Sequence, residues 1–288
     1  MKGAKMAWKE EIKEWPWWCA ALALFVACAG LCWFFFWNKP GEVARYVMIG
    51  DSIYAEKRGG ASVADGLSKT LGEPAFNGAL GGTSLARSEQ LRHADEKTDL
   101  LSGVALSKAM VSKDYGVQKQ IHVVSPATEY FDDVILQLSK MDLSKTEMLI
   151  IGYGMNDYQN GVPLDDPEDP LNEYTFGGAL RATLKSLKHS FPKLRILLLT
   201  PTYSWYVDRE ETCEELDWGG GYLEKYAELE KRIGEEYGVE TLDLYHDFYP
   251  HETFEDWSKF TRDGVHPNEK GIELITQRIS SYLEDHPR

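Results

Sequence analysis

Apolar positions along this chain group in two ways. Short unbroken runs recur at Arg45 to Ile49, Met148 to Gly152, Leu194 to Thr200 and Val239 to Leu244. Between them lie longer stretches in which apolar residues return every three or four positions: Gly60 to Leu71, Thr128 to Lys140, Glu173 to Ser190, Tyr222 to Tyr237 and Asn268 to Glu284. The runs suit strands buried on both faces, and the wider spacing lays an apolar stripe along a helix. Their alternation predicts an α/β domain over residues 45–288, with a mainly parallel sheet. Each predicted strand leads into a polar loop, and open α/β sheets bind ligands outside the carboxyl ends of their strands.

Two stretches lack a regular pattern. Ser84 to Val123 is polar and partly helical, suited to a cap or a surface excursion. Gln159 to Asn172 reads as loop, with Asp165, Asp166, Glu168 and Asp169 among three prolines. Its carboxylate spacing fits no calcium loop, so it is expected to be a solvated acidic segment.

One apolar run is of another kind. Trp15 to Trp37 carries no charge over 23 residues, enough for a helix to cross a bilayer, which takes about 20. Trp15, Trp17 and Trp18 at one end and the aromatics from Trp33 to Trp37 at the other resemble the belts found at membrane interfaces. Ala27-Cys28-Ala29 would suit signal cleavage, but the apolar run continues through Phe36, which argues equally against a lipid anchor at Cys28. The expected order is a short cytoplasmic leader (1–14), a membrane helix (15–37), a linker (38–44) and the domain (45–288). Lys2, Lys5, Lys9 and Lys13 before the span outnumber Lys39 and Arg45 after it, which places the amino terminus inside and the domain outside the cell membrane.

Charge and cysteines narrow the function. The whole chain carries −15; its leader has four lysines against three glutamates, so the remainder carries −16. Such a domain repels phosphate backbones, so no nucleic-acid partner is expected. Three of the four cysteines lie in the apolar segment, leaving Cys213 alone in the domain, where no internal disulfide can form. Glu210, Glu211, Glu214 and Glu215 around Cys213 would raise its thiol pKa and argue against a nucleophile there.

The candidate chemistry sits at the two ends of the domain and in its middle. Gly50-Asp51-Ser52 follows the first strand, so Ser52 stands where the chain turns and a nucleophile is accessible. Asp263-Gly264-Val265-His266-Pro267 sets a carboxylate three residues before a histidine, letting Asp263 hold one ring nitrogen while the other faces a serine hydroxyl. Taken singly, Ser52 would be an ordinary helix cap, His266 a surface residue, and Asp263 and Asn268 turn and cap residues. A third block, Gly152-Tyr153-Gly154-Met155-Asn156-Asp157, also follows a strand and aims an amide at the same crevice. Ester cleavage through serine needs donors for the oxyanion. The Ser52 N–H, a glycine N–H from Asn77 to Thr83, and the Asn156 amide are the candidates. Asp51 and Asp157 are expected to stabilise turns.

These blocks resemble the SGNH, or GDSL-type, hydrolase family, named for Ser, Gly, Asn and His residues in separate blocks. All four appear in order between residues 50 and 267. The resemblance implies the three-layer, flavodoxin-like SGNH hydrolase fold, with Ser52 as nucleophile, His266 as general base then acid, and Asp263 as its orienting carboxylate. It also implies Ser52, Asn156 and a glycine as oxyanion donors. Gly82-Thr83-Ser84 aligned on the family's turn favours Gly82, with Gly81 the other choice. Isoleucine stands where the GDSL name has leucine. No metal or organic cofactor is implied.

The carrier of the ester is less closely specified. Tyr203, Trp205 and Tyr206 follow the third predicted strand and could wall the crevice or pack as a loop. The expected reaction is hydrolysis of an acetyl or short acyl ester on a cell-surface carbohydrate. The alternatives are a lysophospholipase or lipase, or an acyltransferase to a glycan polymer; a non-catalytic carbohydrate-binding module ranks last.

Overall fold

A computed structural model describes residues 43–55, 57–88, 99–121 and 129–287. The first apolar run forms β1 (Tyr46–Gly50), buried throughout, and one residue later the chain enters a one-turn helix, α1 (Ser52–Ala55). Helix α2 (Val63–Leu71) starts late because Ser62 caps it reciprocally with Asp65, and it stops at left-handed Gly72. A short strand, β2 (Ala75–Asn77), follows. Next come α3 (Gly103–Ser112), α4 (Phe131–Lys140), β3 (Met148–Gly152) and α5 (Met155–Gln159). Thr175 caps α6 (Phe176–Ser190), which leads to β4 (Arg195–Leu199). The final third holds a small hairpin, β5 (Trp205–Tyr206) with β6 (Glu211–Thr212), then α7 (Leu223–Tyr237) and β7 (Glu240–Leu242). The one-turn α8 (Trp257–Phe260) and the long α9 (Glu269–Asp285) complete it.

The main sheet runs β2-β1-β3-β4-β7 with every pair parallel. Counting only its own strands, that is the order 2-1-3-4-5 of flavodoxin-like folds, which reverses between β1 and β3 and opens a crevice at their carboxyl ends. Parallel strands lie covered on both faces, which is why β1 and β3 read as unbroken apolar runs. The helices pack in two groups, α2 with α9, and α6 between α3 and α7.

At the crevice, β1 and β3 both end in glycine, Gly50 opposite Gly152. A side-chain carbon at Gly152 would collide with the Tyr54 ring, and one at Gly50 with the Gly152 carbonyl. The glycine pair therefore lets Tyr54, on α1, lie across the strand ends. Tyr54 is itself buried, so α1 and its first residue, Ser52, are seated against the sheet.

All four expected strands are present, the last trimmed to three residues. β2 escapes the pattern because it is a half-buried edge strand of three residues, and the hairpin has two residues per strand. Within Ser84 to Val123, α3 packs on α6, with Ser107 Oγ 3.4 Å from Thr183 Oγ1, so this part joins the helical layer rather than capping the site. The acidic loop is knitted into the fold: Arg181 of α6 makes a two-pronged pair with Asp165 at 2.8 and 3.1 Å, and Asp166 accepts the Asn172 amide at 2.9 Å. The expected membrane helix, 15–37, lies outside the described residues, among which no helix is long and apolar enough to cross a membrane.

Gly152→Ala should force Tyr54 and α1 apart from β3 and cost about 1–3 kcal/mol by overpacking. Urea unfolding followed by circular dichroism measures this, and an unchanged midpoint would count against the seating of Ser52 by the glycine pair.

Candidate active site

Ser52 opens α1, so its hydroxyl stands at the crevice and its N–H has no helical acceptor. The Ser52 Oγ lies 3.0 Å from His266 Nε2, although the two residues are 214 positions apart. On the other side of the ring, His266 Nδ1 is 2.7 Å from Asp263 Oδ2. With Asp263 ionised, Nδ1–H donates to it, leaving Nε2 to accept from the serine hydroxyl. Burial works to raise the Asp263 carboxyl, but the His266 N–H and ring, with the Val265 N–H, together hold it below the usual carboxylate range. Its Oδ1 accepts the N–H groups of His266 at 2.7 Å and Val265 at 3.1 Å, closing the turn that carries the ring.

That turn is fastened at several points. The Gly264 N–H donates to Thr261 Oγ1 at 3.0 Å, the Arg262 N–H to the His266 carbonyl at 2.9 Å, and the Trp205 N–H to the Gly264 carbonyl at 2.9 Å. Gly264 has φ of +90°, and a side chain there would strike the Trp205 carbonyl. Only glycine fits this seam between hairpin and histidine turn.

The third part is built on α5. Asn156 Nδ2 donates to the Thr83 carbonyl at 3.1 Å with one hydrogen, leaving its second for a ligand. Asp157 is fully buried and accepts the N–H groups of Leu85 at 2.8 Å and Ala86 at 2.9 Å. Burial pushes its carboxyl up to about 6, with those N–H groups opposing. Asp51 is also buried and accepts the Ile53 N–H at 3.0 Å; burial pushes it up to about 7, the Ile53 N–H opposing and the Asp157 charge adding. Both acids thus hold turns. Glu230 of α7 is buried nearby, and burial carries its carboxyl well above the usual range.

Of the two candidate glycines, Gly81 donates its N–H to the Tyr130 hydroxyl at 2.9 Å. A side-chain carbon at Gly81 would lie 3.7 Å from the Ser52 Cβ, so this backbone passes close to Ser52. Gly82, at φ +75°, is exposed, and its N–H meets no acceptor among the described residues. Tyr130 carries no motif in the sequence; the Arg58 guanidinium holds its ring from 3.9 Å.

The three aromatics expected to wall the crevice take different places. Tyr203 is buried and stacks on His251 with centroids 4.1 Å apart, and Trp205 is 1% exposed. Tyr206 is half-buried and lines a cavity of about 430 Å³ beside His266, together with the rim of Trp205. Trp257 lines the same cavity and carries no signal in the sequence, since it lies in neither a motif nor an apolar run. The Cys213 thiol is buried and raised to about 11, with burial rather than the neighbouring glutamates as the main cause.

A model of the GDSL-like lipase/acylhydrolase family matches residues 48–274. Among solved structures, a Lactobacillus plantarum protein superimposes with a TM-score of 0.60 at 19% identity, covering 85% of this chain and 98% of its own. A Chitinophaga pinensis protein described as a possible lipase gives 0.54 at 15% identity, covering 83% and 97%. A salicylyl-acyltransferase from a tetracycline biosynthetic pathway gives 0.50 at 12%, covering 86% of this chain and 55% of its own. Identities this low carry the fold alone. No functionally curated protein matches the chain.

Asp51 titrates at about 7 in the fold against 3.8 for an ordinary aspartate. Between those values the folded protein holds a proton that the unfolded chain has released, so through this group stability falls as pH rises across that window. Asp51→Asn keeps an oxygen for the Ile53 N–H and removes the loss. Its gain in urea midpoint over the parent should therefore grow from about pH 5 to about pH 8; an equal gain at both would refute the buried-acid account.

Proposed function

The chain belongs to the GDSL-like lipase/acylhydrolase family of ester hydrolases, and from that membership we propose a serine esterase that works through Ser52, His266 and Asp263. The observation that carries this reading is the continuous relay from Ser52 Oγ through the imidazole to Asp263, at 3.0 and 2.7 Å. His266 Nε2 takes the Ser52 proton as the hydroxyl attacks the ester carbonyl. Negative charge moves onto the carbonyl oxygen, which the Ser52 N–H, the Gly82 N–H and the spare hydrogen of Asn156 receive. Collapse expels the alcohol, which leaves with the proton from His266. Water then enters and gives a proton to His266 as it attacks the acyl carbon; the bond to Ser52 Oγ breaks, the acid leaves, and His266 returns the proton to Ser52.

Gly82 is the glycine donor in this reading, since the Gly81 N–H is spent on Tyr130. The substrate is an acetyl or short acyl ester on a cell-surface carbohydrate. The uncharged segment 15–37 supports an enzyme tethered to the cell membrane with its domain outside. Ser52→Ala should cut p-nitrophenyl acetate turnover by at least about 10³-fold. Asn156→Ala should lower kcat by about 10²–10³-fold with KM little changed. Steady-state kinetics on the folded variants checks both, and turnover that survives Ser52→Ala would end the proposal.

A further inference from the structure

The cavity beside His266 borders the site on one side only. Its walls include His266, Asp263 and Val265 from the histidine turn, but not Ser52, Gly82 or Asn156. The difference matters because the two halves of an ester leave the reacting carbon in different directions. The carbonyl oxygen must face the oxyanion donors, whereas the leaving oxygen must come within hydrogen-bond reach of His266 Nε2, which returns the proton. A cavity that shares a wall with His266 and none with the donors therefore receives whatever is attached to the leaving oxygen.

We infer that this cavity holds the alcohol half of the ester, and that this half is a pyranose ring seated on Trp257. The inference rests on the esterase reading above and adds which groups recognise the carrier. At about 430 Å³ the space is of the size that encloses small organic ligands, which runs from about 300 to 1,000 Å³. Its lining sets rings and two valines, Val207 and Val265, beside strongly polar groups: Trp257 and Tyr206, both half-buried, face the same space as Gln159, Asp208, Arg209 and Arg262. An alkyl chain would bury against those charges at a cost. A pyranose matches them, with C–H faces for the rings and a rim of hydroxyls for amide, carboxylate and guanidinium groups.

The walls are also held in place before anything binds. Tyr206 accepts from the Gln159 amide at 3.4 Å and lies edge-on to Trp218, over which the Arg209 guanidinium sits at 4.8 Å. Trp257 begins α8 directly after the turn that Thr253 and Asp256 cap reciprocally. Rigid walls spare the ordering cost of binding. In the acylation step the bond from Ser52 Oγ to the acyl carbon forms and the bond from that carbon to the sugar oxygen breaks. The Ser52 proton passes through His266 Nε2 to the sugar hydroxyl.

The test compares three acetates by pH-stat that differ only in the alcohol: a mono-O-acetylated methyl xyloside, ethyl acetate as the ester of a small alcohol, and octyl acetate as the ester of a fatty alcohol. Trp257→Ala should raise KM for the xyloside and cut its kcat/KM at least about tenfold more than for ethyl acetate, and Trp257→Phe should recover most of the loss. Equal losses on xyloside and ethyl acetate would overturn the sugar platform while leaving the esterase intact. A larger loss on octyl acetate would replace the sugar with an alkyl chain. No turnover of any ester by the unaltered protein would instead bring down the esterase reading, and the platform with it.

Discussion

A single buried carboxylate carries much of this site. Asp157 gathers the N–H groups of Leu85 and Ala86, while its neighbour Asn156 donates to the Thr83 carbonyl and Asn160 reaches the Ser84 hydroxyl. The segment that follows Gly81 and Gly82, Thr83 to Ala86, is thus strapped to α5 and the residue after it. Glycines are needed where a backbone approaches a reacting atom, yet they are the residues with the most freedom to wander. In the proposed esterase the oxyanion donors act through prior alignment, and the strap supplies what the glycines lack. The cost is a carboxylate out of water, visible in its pKa of about 6.

The other two parts of the relay are fixed by different means. Ser52 is held through shape, by a glycine pair at the ends of β1 and β3 that makes room for the Tyr54 ring. His266 is held through hydrogen bonds within its own turn and through the contact of Gly264 with Trp205. The sheet's reversal between β1 and β3 brings these supports together. Residues 214 positions apart can then meet at 3.0 Å without a long loop having to be held in place.

How much of this could be read from the chain depends on what fixes each part. Buried strands leave an unbroken apolar run, so β1, β3 and β4 were legible. Ser52, Asn156 and the Asp263/His266 turn follow such runs or sit in glycine-marked loops. β2 left no trace because three half-buried edge residues have no period. Tyr130, Trp257 and the choice between the two glycines depend on contacts between distant segments, which local spacing does not encode. Tyr203 follows a strand as a crevice wall would, but it is buried against Trp205 and Tyr245, and only Trp205 and Tyr206 of the three aromatics reach the cavity beside His266. Cys213 shows the reverse: its glutamate neighbours suggested a high thiol pKa, and burial is what mainly produces it.

The seam between Trp205 and Gly264 divides the hairpin into two zones with different freedoms. Up to the seam, backbone meets backbone and the geometry is shared with the histidine turn, so alterations there propagate to the proton relay. Beyond it, from Tyr206 to Arg209, side chains face the cavity while the seam itself stays put. On the inference drawn above, a combinatorial library confined to that lip would explore new leaving groups while Ser52 stays where it is, as a tool holder accepts different bits without moving its chuck.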